Sequence, residues 1–575
     1  MSGVVSVLSF INDSAYDAAP YALVCLSFVF TAKYIRFPDL TCSGSFVLGA
    51  ATAAVAIVRG GIDPVLATVL AGAAGAVAGS VTGFFYTVLR LDRLLAGILS
   101  AFLLYSVNLL ILTPTLAYGD HRTVLSRLEE IDRTFSAARL SWHPCVIVFF
   151  CSVVLASKLV MDWYFNSEAG LALRALEDES AGIFALERQG ISASWLKVFA
   201  LAAGNAIIGI AGALASFKEG AANADRGFDL VITGLVAFLI GTQVGDLFSG
   251  LSSRILRRKI VIAPTTQAIL GAIAYFVLIT GSQRAMVPPA YTKILLVVLV
   301  ALSASDVSSL MRMKSRPLRS TTIPLGSSDV LATVRGLSYR YPSADADCLS
   351  GVSFDVLDGE IVRLVGRNGS GKTTTLRILA GFISQKGGSI FLRGEDVSEQ
   401  RYKRVANIAY IDQNAQRGVV GLLSTRENLI LPRFGPHPSF WRRALSSRNQ
   451  EQLTDLTSVG QLPKETLDKP ADFLSGGQRQ VVNLLTLLAH AQTPDLVLLD
   501  EPLNNLDEAN NSRCLSIIAA LRAGGATILC VSHTSLQGVK IDRQIDLEGA
   551  QLGSGRVDKA SDRGLGSGME PNPRP

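Results

Sequence analysis

Gly366-Arg367-Asn368-Gly369-Ser370-Gly371-Lys372-Thr373 decides how the second half of this chain folds. Its glycines let backbone N–H groups wrap a polyphosphate, which makes it a complete phosphate-binding P-loop. The apolar run Ile361–Val365 leads in as a strand and Thr374–Leu379 leads out as a helix, the context such a loop needs. Lys372 is placed to neutralise the β- and γ-phosphates of ATP, and the Thr373 hydroxyl to hold Mg²⁺. The helix N-terminus adds favourable dipole charge. The expected nucleotide contacts are therefore Gly366, Asn368, Gly369, Ser370, Gly371, Lys372, Thr373 and the adjoining Thr374.

Downstream, Leu496–Leu499 reads as a buried strand that delivers Asp500 and Glu501 at its end. Asp500 suits Mg²⁺ coordination, and Glu501 suits a general base that polarises the attacking water. Gln413 ends the apolar strand Ile408–Ile411, where an uncharged amide can touch Mg²⁺ or water and sense a moving segment. Taken singly it is only a polar strand end. His533 follows the apolar run Thr527–Val531, with an expected contact to the γ-phosphate. Strands alternate with helices from about 330 to 549, as an α/β domain requires.

This set of motifs closely resembles the ATP-binding-cassette (ABC) ATPases. Ser475-Gly476-Gly477-Gln478 matches their signature motif, Gln413 their Q-loop, Asn505-Leu506-Asp507 their D-loop and His533 their H-loop. Tyr341 matches the aromatic that stacks on adenine. The resemblance implies a hydrolytically competent site with Glu501, His533 and Gln413 in catalytic roles. It implies metal contacts from Thr373, Gln413 and Asp500. It also implies that Ser475, Gly476, Gly477, Gln478 and Asp507 complete a nucleotide site on the facing domain. One chain carries one copy of each half-site, so the simplest assembly is a homodimer.

Ahead of this domain the composition changes. Hydrophobic residues make up 49% of the chain and mean hydropathy is +0.37, with the apolar content concentrated before residue 310. About nine segments approach the roughly 20 residues that cross a bilayer. They lie near 16–34, 44–58, 64–88, 94–117, 144–165, 195–217, 230–250, 260–281 and 291–307. The ATPase must sit where ATP is, so the last span ends in the cytoplasm. Counting back places Arg254, Arg257, Arg258, Lys259, Arg90 and Arg93 inside, in agreement with the positive-inside rule. Loop 166–194 then falls inside, and loops 118–143 and 218–229 outside.

The polar and small residues of 38–46 leave open a broken helix dipping partway into the membrane. Val124, Leu128, Ile131 and Phe135 recur at helical spacing, as in an interfacial amphipathic helix. The fold class is thus an all-α polytopic membrane domain of about 8–9 spans followed by an α/β ATPase. The expected boundaries are 1–314, a linker at 315–329, the ATPase at 330–549 and a disordered tail at 550–575. The net charge of +6 reads as a basic cytoplasmic face, with no nucleic-acid footprint. The seven cysteines form no C-x-x-C pair, which argues against a zinc site or disulfide framework. No basic region precedes the first apolar stretch, as a secretory signal would have.

Within the inner loop, Glu168–Leu176 and, further on, Gln189-Gly190-Ile191 place apolar residues at helical spacing among charges, as expected of a short cytoplasmic helix docking on the ATPase near Gln413 or of a solvated amphipathic loop helix. A second resemblance follows. This loop looks like the coupling segment of importer permeases for branched-chain amino acids and simple sugars. Pro38-Asp39-Leu40-Thr41, Gly44-Ser45-Phe46, Gly220, Gly227 and Gly234-Leu235 look like the permease of tryptophan/tyrosine-type ABC import systems. Cys42-Ser43, Asn223, Glu177 and Arg188-Gln189 depart from that family pattern, and with them go family carboxylates near the path. The resemblance implies an importer of a small solute, an amino acid or relative. An extracytoplasmic solute-binding protein would deliver it, and the chain would sit in a bacterial plasma membrane. Two alternatives stand beside it: a half-size exporter, and an ATP-driven signalling device. No intramembrane ionisable residue stands out as a substrate counter-charge except Asp39 or Lys158, and Lys158 also suits a snorkelling lysine.

Overall fold

Hydrocarbon offers the backbone no hydrogen-bond partners, so apolar stretches of membrane length fold as helices. The computed structural model describes residues 2–113, 115–135, 144–255, 262–287, 330–341, 347–367, 369–399, 407–435, 437–490, 494–504, 506–532 and 539–547. They divide into two compact units, one formed by 1–179 with 192–314 and the other by 180–191 with 315–575. The ninth expected span, the linker 315–329 and the tail 550–575 lie outside the described residues.

The first unit is helical. α1 (Ser2–Phe28) runs into a π-helical turn, Val29–Tyr34, and is followed by α2 (Thr41–Val58), α3 (Pro64–Thr87) and α4 (Arg93–Leu112). Then come strand β1 (Thr115–Ala117), α5 (Val124–Phe135), α6 (Pro144–Phe165), α7 (Glu168–Ala175) and α8 (Glu179–Arg188), most of which belongs to the second unit. α9 (Ala193–Glu219), β2 (Ala221–Asn223), α10 (Phe228–Ile255) and α11 (Pro264–Arg284) complete it. Among the described residues seven helices are long and apolar enough to cross a membrane, and α10 carries a shorter apolar stretch, Thr233–Gly245.

The expected span 94–117 is too long. α4 ends at Leu112, Thr113 turns to φ +49°, and β1 pairs antiparallel with β2. The polar stretch 38–46 does not break a helix. Asp39 accepts from the Thr41 N–H at 3.0 Å, and α2 runs unbroken from Thr41. The interruption is thus the turn that starts α2.

α9 packs against α2 and α3 at backbone distance. A Cβ at Gly212 would lie 1.9 Å from the Phe46 carbonyl oxygen, and one at Gly49 would lie 2.1 Å from that of Gly209. Such small-residue contacts replace the hydrophobic drive that membrane helices lack. Several buried polar groups in this unit are paired. Asn205 donates to Asp39 at 2.7 Å, and the Thr41 and Thr82 hydroxyls meet at 2.9 Å. Lys158 pairs with Asp162, which also accepts from Thr265. Lys33 pairs with Glu177, and Arg93 with Glu179 and the Arg36 carbonyl.

The second unit is α/β. Its central parallel sheet has the order β11-β5-β10-β9-β8, built from β5 (Ile361–Val365), β8 (Ile408–Ile411), β9 (Leu496–Asp500), β10 (Thr527–Val531) and β11 (Arg543–Asp546). An antiparallel sheet, β4-β3-β6-β7, joins β3 (Val330–Tyr339), β4 (Leu349–Leu357), β6 (Gly387–Leu392) and β7 (Glu395–Asp396). β8, β9 and β10 are fully buried runs, as parallel strands covered on both faces should be. The C-terminal ends of β5, β10, β9 and β8 lie side by side in that order in the sheet, and ligands bind at such ends.

Candidate functional site

The loop between β5 and helix Lys372–Leu379 takes three left-handed glycines, at φ +151° for Gly366, +85° for Gly369 and +92° for Gly371. At Gly371 a Cβ would also lie 2.4 Å from Leu349, so the loop needs glycine there for both conformation and space. Lys372 turns back over the loop and donates to the carbonyls of Gly366 at 2.8 Å and Arg367 at 3.0 Å. An ammonium held across an anion-binding loop is poised for phosphate. Tyr341 shares a hydrogen bond with the Thr374 hydroxyl at 3.1 Å, which sets its ring beside the start of that helix. Asn368 lies outside the described residues.

Asp500 closes β9. Its Oδ1 accepts from the Thr373 hydroxyl at 3.2 Å, and its Oδ2 from Tyr410 at 3.2 Å. Burial pushes its pKa up, while hydrogen bonds from Thr373 and Tyr410 pull it down. Thr373 and Asp500 thus form a hydroxyl–carboxylate pair of the hard-oxygen kind that Mg²⁺ prefers. Among the described residues no cluster of three or more acidic, His or Cys side chains could hold a metal unaided. Few protein ligands, with phosphates completing the shell, is the usual Mg²⁺ arrangement.

Glu501 follows at φ +47°, a left-handed conformation costly for a side chain of this size. Its N–H donates to Val531 at 2.8 Å, which pins the turn to β10. Its carboxylate accepts from Gln413 at 3.0 Å and Asn504 at 2.9 Å. A strained, doubly hydrogen-bonded carboxylate at a strand end has a fixed aim. Gln413, Glu501, Asn504 and Gly476 line one cavity of about 540 Å³, together with Arg377, Asp412 and Gln480.

Ser475 caps the helix Gly476–Leu488, hereafter the signature helix. It forms a capping box in which Gln478 N–H donates to the Ser475 hydroxyl at 3.2 Å and Ser475 N–H to the Gln478 side chain at 3.1 Å. Gly477 lies where a Cβ would meet Asn510 at 2.6 Å. Asp507 caps helix Glu508–Ala523 by accepting from Asn510 at 2.9 Å. None of the described residues in 366–373 lines the cavity that contains Gly476. His533 and Asn505 lie outside the described residues.

Sequence reading missed three supports of this site. Tyr410 looks like one more apolar strand residue, yet its hydroxyl reaches Asp500. Asn504 sits three residues after Glu501, a turn spacing that could have flagged it. Arg377 and Asp412 form an ion pair at 3.0 Å under the cavity, and their separation of 35 residues hid it.

The inner-loop residues expected to dock divide between the two units: Glu168–Leu176 belongs to the first and 189–191 to the second. α7 is buried within the first unit, where it packs on α6 and α9. The segment that joins the ATPase unit is 180–191. There Phe184 stacks on Phe382 at 4.7 Å and meets Tyr410 edge-on at 6.3 Å, two residues before Asp412 and three before Gln413.

Comparison with known proteins completes the reading. The model for the permease component of branched-chain amino acid transport systems matches residues 10–304, and the ABC transporter model matches 349–504. The chain is an ABC transporter. It fuses a permease to an ATPase that hydrolyses ATP to drive transport. The transporter's first half is similar to the tyrosine transport system permease protein of Clostridioides difficile, at 26% identity over 48% of this chain and 81% of that protein. Its second half is similar to the taurine import ATP-binding protein of a Jannaschia species, at 33% identity over 35% of this chain and 71% of that protein. It is also similar to a phosphonates import ATP-binding protein of a Synechococcus species, at 32% identity over 33% of this chain and 70% of that protein. The transporter is accordingly a multi-pass membrane protein that binds ATP.

Proposed function

We propose that this ABC transporter imports a small amino acid or related metabolite, handed over by an extracytoplasmic solute-binding protein, across a bacterial plasma membrane. The match of 10–304 to an amino acid permease model carries this reading, and the tyrosine permease likeness supports it. The seven helices of membrane length among the described residues, with the shorter apolar stretch of α10, also favour it over a half-size exporter of six long spans.

At the ATPase, Lys372 and the P-loop backbone bind the phosphates and Tyr341 carries adenine. Mg²⁺ at Thr373, Asp500 and Gln413 would neutralise charge on the β- and γ-phosphates. Glu501 accepts the proton of the attacking water while Gln413 and Asn504 hold its carboxylate in place, and His533 contacts the γ-phosphate. The chain carries one P-loop and one signature motif, which supports a site completed by a second copy. Ser475, Gly476, Gly477, Gln478 and Asp507 of one copy then face the P-loop of the other. ATP binding would draw two cassettes together, and hydrolysis would release them, a two-state cycle biased by nucleotide.

The test is ATP hydrolysis in proteoliposomes with and without solute-binding proteins, across aromatic and aliphatic amino acids. Stimulation by one binding protein with one solute supports import. Outward accumulation of a solute without any binding protein would favour the exporter.

A further inference from the structure

Arg188 ends α8 inside the second unit. It is 2% exposed, although guanidinium groups are almost never fully buried without a charge partner. Its Nη1 donates to Asn483 Oδ1 at 2.8 Å and its Nη2 to the Thr486 hydroxyl. Both acceptors are neutral. Burial lowers its pKa to about 10, well above neutrality, so the cation persists. A buried cation on neutral acceptors adds little stability compared with an apolar side chain of the same volume. What it supplies is direction, because its planar fork fixes the geometry of whatever it grips.

Asn483 and Thr486 lie three residues apart on one face of the signature helix. One turn earlier, buried Gln480 donates to the Pro502 carbonyl at 3.0 Å, directly beside Glu501. At the other end of α8, Phe184 stacks on Phe382 and touches Tyr410, whose hydroxyl reaches Asp500. The segment therefore rests on two supports. Phe184 stands on the sheet that carries the magnesium pair, and Arg188 grips the helix that begins at Ser475 and braces the turn at Glu501.

We propose that Arg188 is a positioning residue for ATP hydrolysis: by gripping Asn483 and Thr486 it sets the signature helix, and through Gln480 and Pro502 the aim of Glu501. This rests on ATP hydrolysis alone and not on the identity or direction of the cargo.

The test is steady-state hydrolysis by the purified full chain in nanodiscs, comparing Arg188→Met, Arg188→Lys, Asn483→Leu and the Met/Leu double variant. Each uncharged or apolar single lowers kcat about tenfold, while KM for ATP stays within about twofold because the P-loop is untouched. The double is no slower than either single, as expected for one shared interaction. Arg188→Lys, which keeps the charge but loses the planar fork, stays within about threefold of Arg188→Met, as expected if the fork's geometry and not the charge sets the helix. Single-variant effects that multiply to about a hundredfold in the double would overturn the proposal. So would unchanged kcat, or a rise in KM alone. If Arg188→Met does not assemble, Asn483→Leu with Arg188→Lys decides: parental kcat in both, or a rise in KM alone, refutes it. Glu501→Gln in the same assay reports separately on the base, so a failure there is distinguishable.

Discussion

Replacing Glu501 separates its chemistry from its structural cost. In Glu501→Gly the change removes the carboxylate and relieves the left-handed φ of +47°. That relief contributes about 1–3 kcal/mol. Against it stand two exposed hydrogen bonds, from Gln413 and Asn504, each of about 1 kcal/mol. These nearly cancel, so the melting midpoint should stay within about 4 °C of the parent, less than about 1 kcal/mol for a domain of this size. Activity should behave differently. Losing a general base costs about 10²–10⁴-fold in rate, or about 3–5 kcal/mol of transition-state stabilisation. Glu501→Gln should lose as much kcat while keeping the turn's strain and a side chain able to bond Gln413. The assay is phosphate release by the full chain in nanodiscs, paired with a thermal melt and a fluorescent-nucleotide titration. Both variants should bind nucleotide within about threefold of the parent. More than about a tenth of parental kcat in either variant would refute the assignment of Glu501 as base.

Other substitutions test the neighbouring parts. Gly371→Ala forces a Cβ to within 2.4 Å of Leu349 at φ +92° and should abolish fluorescent-nucleotide binding, with destabilisation of about 1–3 kcal/mol. In the membrane unit, Gly212→Val should drive α9 off α2, because a Cβ there already lies 1.9 Å from the Phe46 carbonyl oxygen. Unfolding in detergent would register a loss of about 1–3 kcal/mol or failure to assemble. His490 is held down to about 3 by burial, with the Arg188 charge adding to it. A histidine depressed in the fold binds fewer protons than it does unfolded, so its contribution is intact above the unfolded value of about 6.5 and is lost as pH falls toward 3. His490→Gln should therefore flatten the fall of the melting midpoint across that window. The carboxylate form of Asp500 is the one that can hold a metal, and burial pushes its pKa up. The Mg²⁺ concentration needed for half-maximal hydrolysis should therefore rise as pH is lowered, a dependence a metal titration at several pH values would reveal.

What the sequence made legible was chemistry carried by short, local patterns. The P-loop glycines, the acidic pair at the end of β9 and the Ser475–Gln478 cap all lie within one strand–loop or loop–helix unit, where spacing alone sets geometry. Apolar length likewise revealed the membrane helices, since a spanning helix is a local structure. Contacts between distant residues stayed hidden. Gln413 and Glu501 are 88 positions apart, and Arg188 and Asn483 are 295 apart. The docking segment was misread in part, for a related reason. Glu168–Leu176 shows the stronger apolar spacing, but that face is spent on α6 and α9. The segment that joins the ATPase unit buries alanines and polar residues, Ala181, Ala185, Arg188 and Gln189, beside Leu186 and Ile191, a face whose apolar spacing is weak in the sequence. The end of α4 was overrun because Thr115–Ala117 is as apolar as a helix end, and only pairing with β2 makes it a strand.

The measurement that bears most directly on the account is ATP hydrolysis by the chain in proteoliposomes, with Glu501→Gln as the inactive control, before and after adding the solute-binding protein encoded nearest to it with each of a panel of amino acids. The account predicts Glu501-dependent hydrolysis that rises with one binding protein and one solute, accompanied by uptake of that solute. Robust Glu501-dependent hydrolysis that no binding protein or solute alters would contradict it.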